Sequence, residues 1–95
     1  MSSSSARDRA NRNNPYWQTF KDLIEERISE GQYNAEYRSD WNPSSDEKTQ
    51  MSVAAQAICN WYEFSDVQYN YYSEWDEVDD EMFIVHFSWE SFEYT

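Results

Sequence analysis

The chain has 95 residues, too few to divide its apolar side chains between two cores, so a single domain is expected. Its formal net charge of -12, from 19 acidic and 7 basic residues, disfavours nucleic acid and anionic membranes as direct partners. The single cysteine excludes an internal disulfide, and the absence of a long apolar run or a signal core predicts a cytoplasmic protein.

The composition favours a folded chain over a disordered acidic one. Hydrophobic residues make up only 39% of the chain, yet 19% of its residues are aromatic. Each buried ring removes a large area from water, so a few positions can build a core. Disordered acidic segments are poor in such residues.

The N-terminal third predicts a leader followed by a helix. Residues 1–14 contain almost nothing apolar and predict a disordered tail, with the folded domain over residues 15–95. Asn14-Pro15 is typical of a helix start, and Gly31 is typical of a helix end. Between them the apolar residues recur at spacings of three and four, as on one face of a helix. That face comprises Tyr16, Trp17, Phe20, Leu23, Ile24 and Ile28.

The middle of the chain predicts a second helix. The alternation of apolar and polar residues allows a short edge strand over residues 32–38, and residues 40–43 are typical of a turn. Ser44 followed three residues later by Glu47 matches a capping box. The apolar spacing after it predicts a helix over residues 45–62.

The C-terminal third predicts a β-hairpin, because the apolar period falls to two after Asp66. One face of the first strand carries Val67, Tyr69, Tyr71 and Trp75, and the other carries Gln68, Asn70, Tyr72, Glu74 and Asp76. After a polar reversal, the second run (residues 82–94) places Phe83, Val85, Phe87 and Trp89 on one face. The predicted fold is α+β: two amphipathic helices packed on a small antiparallel sheet that this hairpin dominates.

The charge is distributed unevenly along the chain. No lysine or arginine follows Lys48, whereas ten acidic residues do. We therefore expect these carboxylates to lack ion pairs and to present a field of one sign. Carboxylates two apart on a strand, or four apart on a helix, lie about 6 Å from one another, a regular spacing suited to a groove that binds phosphates. The residues predicted to contact a partner are Glu74, Asp76, Glu77, Asp79, Asp80, Glu81, Tyr72, Trp75, Glu90, Asp22, Glu26 and Glu30.

Catalytic and metal chemistry have weak support. The acidic run 76–81 lacks the glycine and the spacing of a calcium loop, so a charged hairpin tip is the better interpretation. His86 is the single histidine and is expected to pack across strands, and Cys59 to pack as a small apolar side chain. With one glycine, Gly31, the chain has no phosphate-binding loop. We predict a protein that is not an enzyme and needs no metal or cofactor.

No motif identifies a family. In size, charge and aromatic content the chain resembles the small acidic DNA mimics that phages and mobile elements use against nucleases, restriction systems and CRISPR effectors. That resemblance implies a basic nucleic-acid-binding protein as partner, such as a nuclease, restriction enzyme, CRISPR effector or polymerase. The alternatives are an adaptor or structural subunit that uses an aromatic patch, a domain adapted to high salt, and a calcium-dependent module. For the oligomeric state, the sequence allows a monomer or a homodimer.

Overall fold

The computed structural model describes residues 13–62 and 66–90, which form two helices and one sheet of three strands. Most of the predicted leader, residues 1–12, and the end of the last apolar run lie outside the described residues. The elements in chain order are α1 (Trp17–Ser29), β1 (Asn34–Trp41), α2 (Ser45–Trp61), β2 (Gln68–Trp75) and β3 (Glu81–Ser88). Neither of these two helices is sufficiently long and apolar to cross a bilayer.

The end of α1 agrees with the sequence, whereas the helix begins at Trp17, two residues after Pro15, and its N-cap residue Tyr16 has no side-chain capping bond. The Asn14 side chain accepts a hydrogen bond from the Tyr16 N–H at 2.9 Å, and the Asn14 carbonyl accepts one from the Trp17 N–H. At the other end Gly31 adopts φ 76°, and the Gln32 N–H donates back to the Arg27 carbonyl. A left-handed residue just past the last turn is the common way in which a helix ends, and glycine adopts that conformation without strain.

The capping box predicted for α2 is present. The Ser44 hydroxyl accepts a hydrogen bond from the Glu47 N–H at 3.1 Å, and the Glu47 carboxylate accepts one from the Ser44 N–H at 3.3 Å. Two N–H groups that the helix itself leaves without partners are satisfied in this way.

Replacing Ser44 with alanine should lower the free energy of unfolding by about 1 kcal/mol, because one of these N–H groups loses its acceptor. Urea denaturation followed by circular dichroism would measure the difference. A matched control is Ser45→Ala, at the exposed first residue of the same helix, which should leave the midpoint almost unchanged. Equal midpoints for the two variants would contradict the prediction.

The sheet has the strand order β1-β3-β2, with both pairings antiparallel. The α+β fold and the third strand beside the hairpin are thereby confirmed. Strand β1 continues to Trp41, although residues 40–43 had been expected to turn. A β-bulge between Arg38 and Trp41 shifts the register, and the Phe83 N–H donates to the Ser39 hydroxyl at 2.9 Å. Local sequence does not reveal this extension because it depends on pairing with β3.

The helices cover one face of the sheet and bury its apolar side chains. Phe87 from the central strand meets Phe20 of α1 edge to face, with ring centroids 5.3 Å apart, and Phe20 meets Tyr37 in the same manner at 5.0 Å. All four apolar residues predicted for the inner face of the last run are buried: Phe83, Val85, Phe87 and Trp89. Neither of the described helices lies on the opposite face of the sheet.

Candidate acidic interface

One asparagine joins the hairpin turn to the end of β1. The Asn42 N–H donates to the Glu81 carbonyl, and the Asn42 side chain accepts from the Glu81 N–H at 2.9 Å. The same side chain donates to the Asp80 carboxylate, also at 2.9 Å. We call these three contacts the Asn42 clamp. Because of them, the turn that follows β2 lies directly beside the last residues of β1.

The first turn of α2 lies at the same end of the molecule, since α2 begins three residues after Asn42. Burial raises the pKa of Tyr16, and the negative charges of Glu47 and Asp40 raise it further. The pKa of Tyr37 is raised by burial and then by the same two carboxylates. Both carboxylates therefore lie within electrostatic reach of the same two rings. Lys48, in the turn of α2 that also carries Glu47, is 2.7 Å from Glu81 and places that turn beside the hairpin. The acidic end comprises Asp40, Asp46, Glu47, Asp76, Glu77, Asp79 and Asp80.

The hairpin turn has a rigid internal structure that separates the roles of its carboxylates. Asp76 accepts hydrogen bonds from the N–H groups of Val78 and Asp80, both at 2.9 Å. Its carboxylate thus holds the turn in shape, and Asp79 adopts φ 62° within it. Glu77 and Asp79 are exposed, and no described residue forms an ion pair with either of them. These two are the most available charges of the turn.

Large apolar side chains are exposed at the same end. Trp75 is 62% exposed, Val78 at the tip is 73% exposed, and Trp41 is 51% exposed. The exposure predicted for Trp75 and for Tyr72 is confirmed, whereas their role in binding stays a prediction. Exposed aromatic rings surrounded by charge are typical of contact surfaces.

The expectation that the C-terminal carboxylates lack ion pairs is wrong for two of them. Arg38 of β1 lies 3.5 Å from Glu74, and Lys48 of α2 lies 2.7 Å from Glu81. Both cations belong to the first half of the chain, and the fold brings them across to the hairpin. Glu81 is consequently a poor candidate for a surface of one sign, because Lys48 neutralises it. Arg38 also lies 3.1 Å from Glu36, so it offsets the charge of Glu74 only in part.

The Glu81 carboxylate is largely buried, with 12% of its side chain exposed. Lys48 at 2.7 Å and the Ser73 hydroxyl at 2.6 Å both donate to it. These two hydrogen bonds lower the pKa of Glu81. A carboxyl group whose pKa is lower in the folded state stabilises the fold above its unfolded pKa, and that stability is lost as the pH falls through the folded pKa.

We therefore expect Glu81→Gln to lower the melting temperature at pH 7 by a few degrees, because the amide cannot offer Lys48 a charged partner. The difference in melting temperature between the variant and the native chain should disappear as the pH falls below about 4, where the native carboxylate also becomes neutral. Thermal unfolding at several pH values tests this. A difference in melting temperature that stays constant with pH would show that the charge of Glu81 does not cause the loss of stability.

The face of the sheet that the helices leave open carries a polar network across the central strand. The Tyr72 hydroxyl donates to Glu36 at 3.1 Å, and Arg38 lies 3.1 Å from Glu36. Arg38 and Tyr72 are the direct neighbours of Ile84 in the register, and the side chain of Ile84 is fully buried although it lies on this face. Tyr72 thus belongs to this network, and burial together with the Glu36 hydrogen bond raises its pKa.

The remaining predicted contact residues do not lie at the acidic end. At the far end of the sheet, Trp89 donates to the carbonyls of Gln32 and Tyr33, so Glu90 and Glu30 are on the side opposite the hairpin turn. Asp22 and Glu26 lie on α1, exposed to solvent. Glu30 is also 3.6 Å from Arg27. The twelve predicted residues therefore form no single surface.

Neither metal chemistry nor thiol chemistry gains support from the described residues. Within residues 13–62 and 66–90, no three His, Cys, Asp or Glu side chains are grouped so that they could hold a metal ion. His86 is half-buried on the open face between Glu36 and Asn70 in the register, a cross-strand position as predicted. Cys59 packs against the core, and burial raises its pKa to about 11, so it remains a thiol at neutral pH.

Sequence reasoning missed Asp40, Trp41, Asp46 and Glu47 as parts of the acidic end. Their positions depend on the Asn42 clamp and on the place of β1 beside β3, neither of which has a local signal. The capping box did fix the start of α2 and could have directed attention to Asp46. Comparison with protein-family models, with curated proteins and with solved structures finds no match to this chain.

Proposed function

We propose that this protein is an inhibitor of the DNA-mimic type, which binds the basic nucleic-acid groove of another protein through its acidic end. The observation that carries the proposal is the convergence of seven carboxylates from β1, α2 and the hairpin turn at one end of the fold. Carboxylates held at fixed positions can substitute for the phosphates that such a groove binds.

The exposed rings support the same partner. Nucleic-acid grooves combine cations that follow the backbone with surfaces on which bases stack. Trp41 and Trp75 lie at the end of the sheet that carries the carboxylates, as direct neighbours of Met82 and Glu81 on the central strand. The two rings point to opposite faces of the sheet, because Met82 and Glu81 are consecutive residues of β3. A groove that accepts alternating phosphates and bases would therefore meet a flat ring on either side of the carboxylates.

The electrostatics of the rest of the chain support a partner of high positive charge. With a net charge of -12, the protein repels nucleic acid at long range and attracts a cationic surface. Such attraction speeds association and makes it sensitive to salt. We place the protein in the cytoplasm, in a counter-defence setting such as inhibition of a restriction enzyme or a CRISPR effector.

Displacement of DNA tests the proposal. A fluorescent duplex is bound to each of a panel of purified proteins that comprises a nuclease, a restriction enzyme, a CRISPR effector and a polymerase, and its anisotropy is measured as this protein is added. We expect displacement from at least one of them, weaker by tenfold or more when the salt rises from about 50 mM to about 200 mM. Displacement that does not change with salt would contradict the mimic mechanism.

A further inference from the structure

Within residues 13–62 and 66–90, no strand pairs with the outer edge of β2. In the strand order β1-β3-β2, β2 has a neighbour on one side only. The Asp76 N–H donates to the Asp80 carbonyl, which continues the β2–β3 ladder by one more pair. Hydrogen-bonded pairs alternate with non-bonded pairs along an antiparallel ladder. The residues of β2 that bond to β3 are therefore those separated from Asp76 by an even number of positions, namely Gln68, Asn70, Tyr72 and Glu74. The intervening residues direct their N–H and C=O groups away from the sheet, and they are Tyr69, Tyr71, Ser73 and Trp75.

These outward groups have no acceptor or donor within the described part of the chain. No hydrogen bond outside the strand ladders involves their backbone atoms. The other edge strand is protected differently, since β1 has a bulge and carries the charged Arg38. Strand β2 contains no proline, lysine, arginine or glycine, and its register with β3 is unbroken over eight residues. Proteins usually protect such an edge, because it is a template for another strand.

We propose that this edge pairs with the same edge of a second copy, so that two sheets join into one of six strands. The inference does not depend on the proposed function. We consider two β2 strands that run antiparallel, with the Tyr72 residues of the two copies opposite each other. In this register Tyr71 lies opposite Ser73 of the second copy, and Tyr69 lies opposite Trp75. All four outward residues of each copy then find partners, in a closed two-fold arrangement.

The distribution of charge favours a second copy over a different, basic strand. Residues 68–73 are uncharged, so nothing in this stretch selects a cationic partner. In the register about Tyr72, Glu74 lies opposite Asn70 and no carboxylate faces another within the paired strands. The two Asp76 residues are eight residues apart along the joined strands, about 27 Å, which is beyond the range of electrostatic interaction at physiological salt.

The exposed rings of β2 also fit this arrangement. Tyr71 is 54% exposed and Trp75 is 62% exposed, although both point to the helix side of the sheet. In the paired form, Trp75 of one copy lies directly across from Tyr69 of the other. Aromatic pairs in that position stabilise antiparallel strands, and a second copy would cover the rings that the monomer leaves in water.

Sedimentation velocity and amide exchange by NMR test the proposal on the full chain. We expect the mass to rise from 11.5 kDa to twice that value as the concentration increases from about 1 µM to about 1 mM. The amides of Tyr69, Tyr71, Ser73 and Trp75 should become protected over the same range. Those of Asn70 and Tyr72 should be protected throughout, because they bond to β3. Outward amides that exchange equally fast at all concentrations would overturn the proposal.

Two variants at one position separate backbone pairing from contact between side chains. Tyr71→Pro removes an outward N–H that β3 does not use, and should weaken dimer formation by at least tenfold. Tyr71→Ala keeps that N–H and should weaken it less. A proline variant that dimerises like the native chain would overturn the proposal, and if it fails to fold, amide exchange of the native chain decides.

The salt dependence of dimer formation and the addition of a DNA-binding protein give two further tests. High salt should strengthen the dimer, because it screens two chains of like charge, whereas it should weaken the displacement of DNA. The two proposals therefore fail separately. A chain that remains a monomer at 1 mM, but whose outward amides become protected when one of the DNA-binding proteins of the panel is added, would overturn the assignment to a second copy.

Discussion

Neutralising the acidic end should weaken the displacement of DNA from a susceptible protein by roughly 30-fold or more. The variant carries Asp46→Asn, Glu77→Gln, Asp79→Asn and Asp80→Asn, which remove four charges with little change in shape. If each carboxylate contributes on the order of 0.5–1 kcal/mol at a cationic groove, the sum corresponds to that loss. The amide that Asp80→Asn introduces can still accept the hydrogen bond of the Asn42 clamp, so the turn should keep its structure.

A matched control exists on the same molecule. Asp22→Asn, Glu26→Gln, Glu30→Gln and Glu90→Gln change the net charge equally but lie outside the acidic end. This control should weaken displacement by no more than about threefold, the effect of long-range attraction alone. Equal losses in both variants would mean that only the total charge matters.

The adaptor hypothesis predicts a different result for the same assay. If the exposed rings carry the binding, the amide variant should act like the native chain, and Trp41→Ala with Trp75→Ala should abolish capture of the partner. That pattern would replace the mimic mechanism with an aromatic contact. The assay therefore distinguishes the two functions on one set of proteins.

Phe87→Ala should lower the free energy of unfolding by about 3–5 kcal/mol. Phe87 is fully buried on the central strand and contacts Phe20 of α1, so its removal leaves a cavity where sheet and helix meet. Small domains have a total stability of about 5–15 kcal/mol, so a large share would be lost. Urea denaturation provides the measurement.

The control for this cavity is Trp75→Ala, which removes a larger ring from an exposed position. Because Trp75 is mostly in water, its loss should change the free energy of unfolding by less than about 1 kcal/mol at concentrations where the chain is a monomer. A similar loss for both variants would contradict the placement of the core between the helices and β3.

Elements with local signals could be predicted from the sequence. The end of α1 follows from Gly31, and the start of α2 follows from the capping box of Ser44 and Glu47, since each device acts within a few residues. The inner face of β3 was predictable because its alternation is regular and its residues are strongly apolar. The two helices, the hairpin and the α+β class depend on such patterns.

Features that join distant parts of the chain could not be predicted in this way. The Lys48–Glu81 pair spans 33 residues, and the Tyr72–Glu36 hydrogen bond spans 36. The bulge of β1 and the Asn42 clamp likewise depend on contacts with β3. A count of charges along the chain cannot reveal which carboxylates meet a cation after folding, and for that reason Glu74 and Glu81 were assigned to the binding surface.

The Asn42 clamp has a consequence for how tightly the acidic end can bind. A hairpin tip without such contacts would sample many conformations, and fixing each residue on binding would oppose association by about 1–2 kcal/mol. Here the tip is tied to β1 by the backbone and side chain of one asparagine, and Asp76 orders the turn internally. Its conformational entropy is already lost when the chain folds, so a partner meets a surface that need not be ordered again.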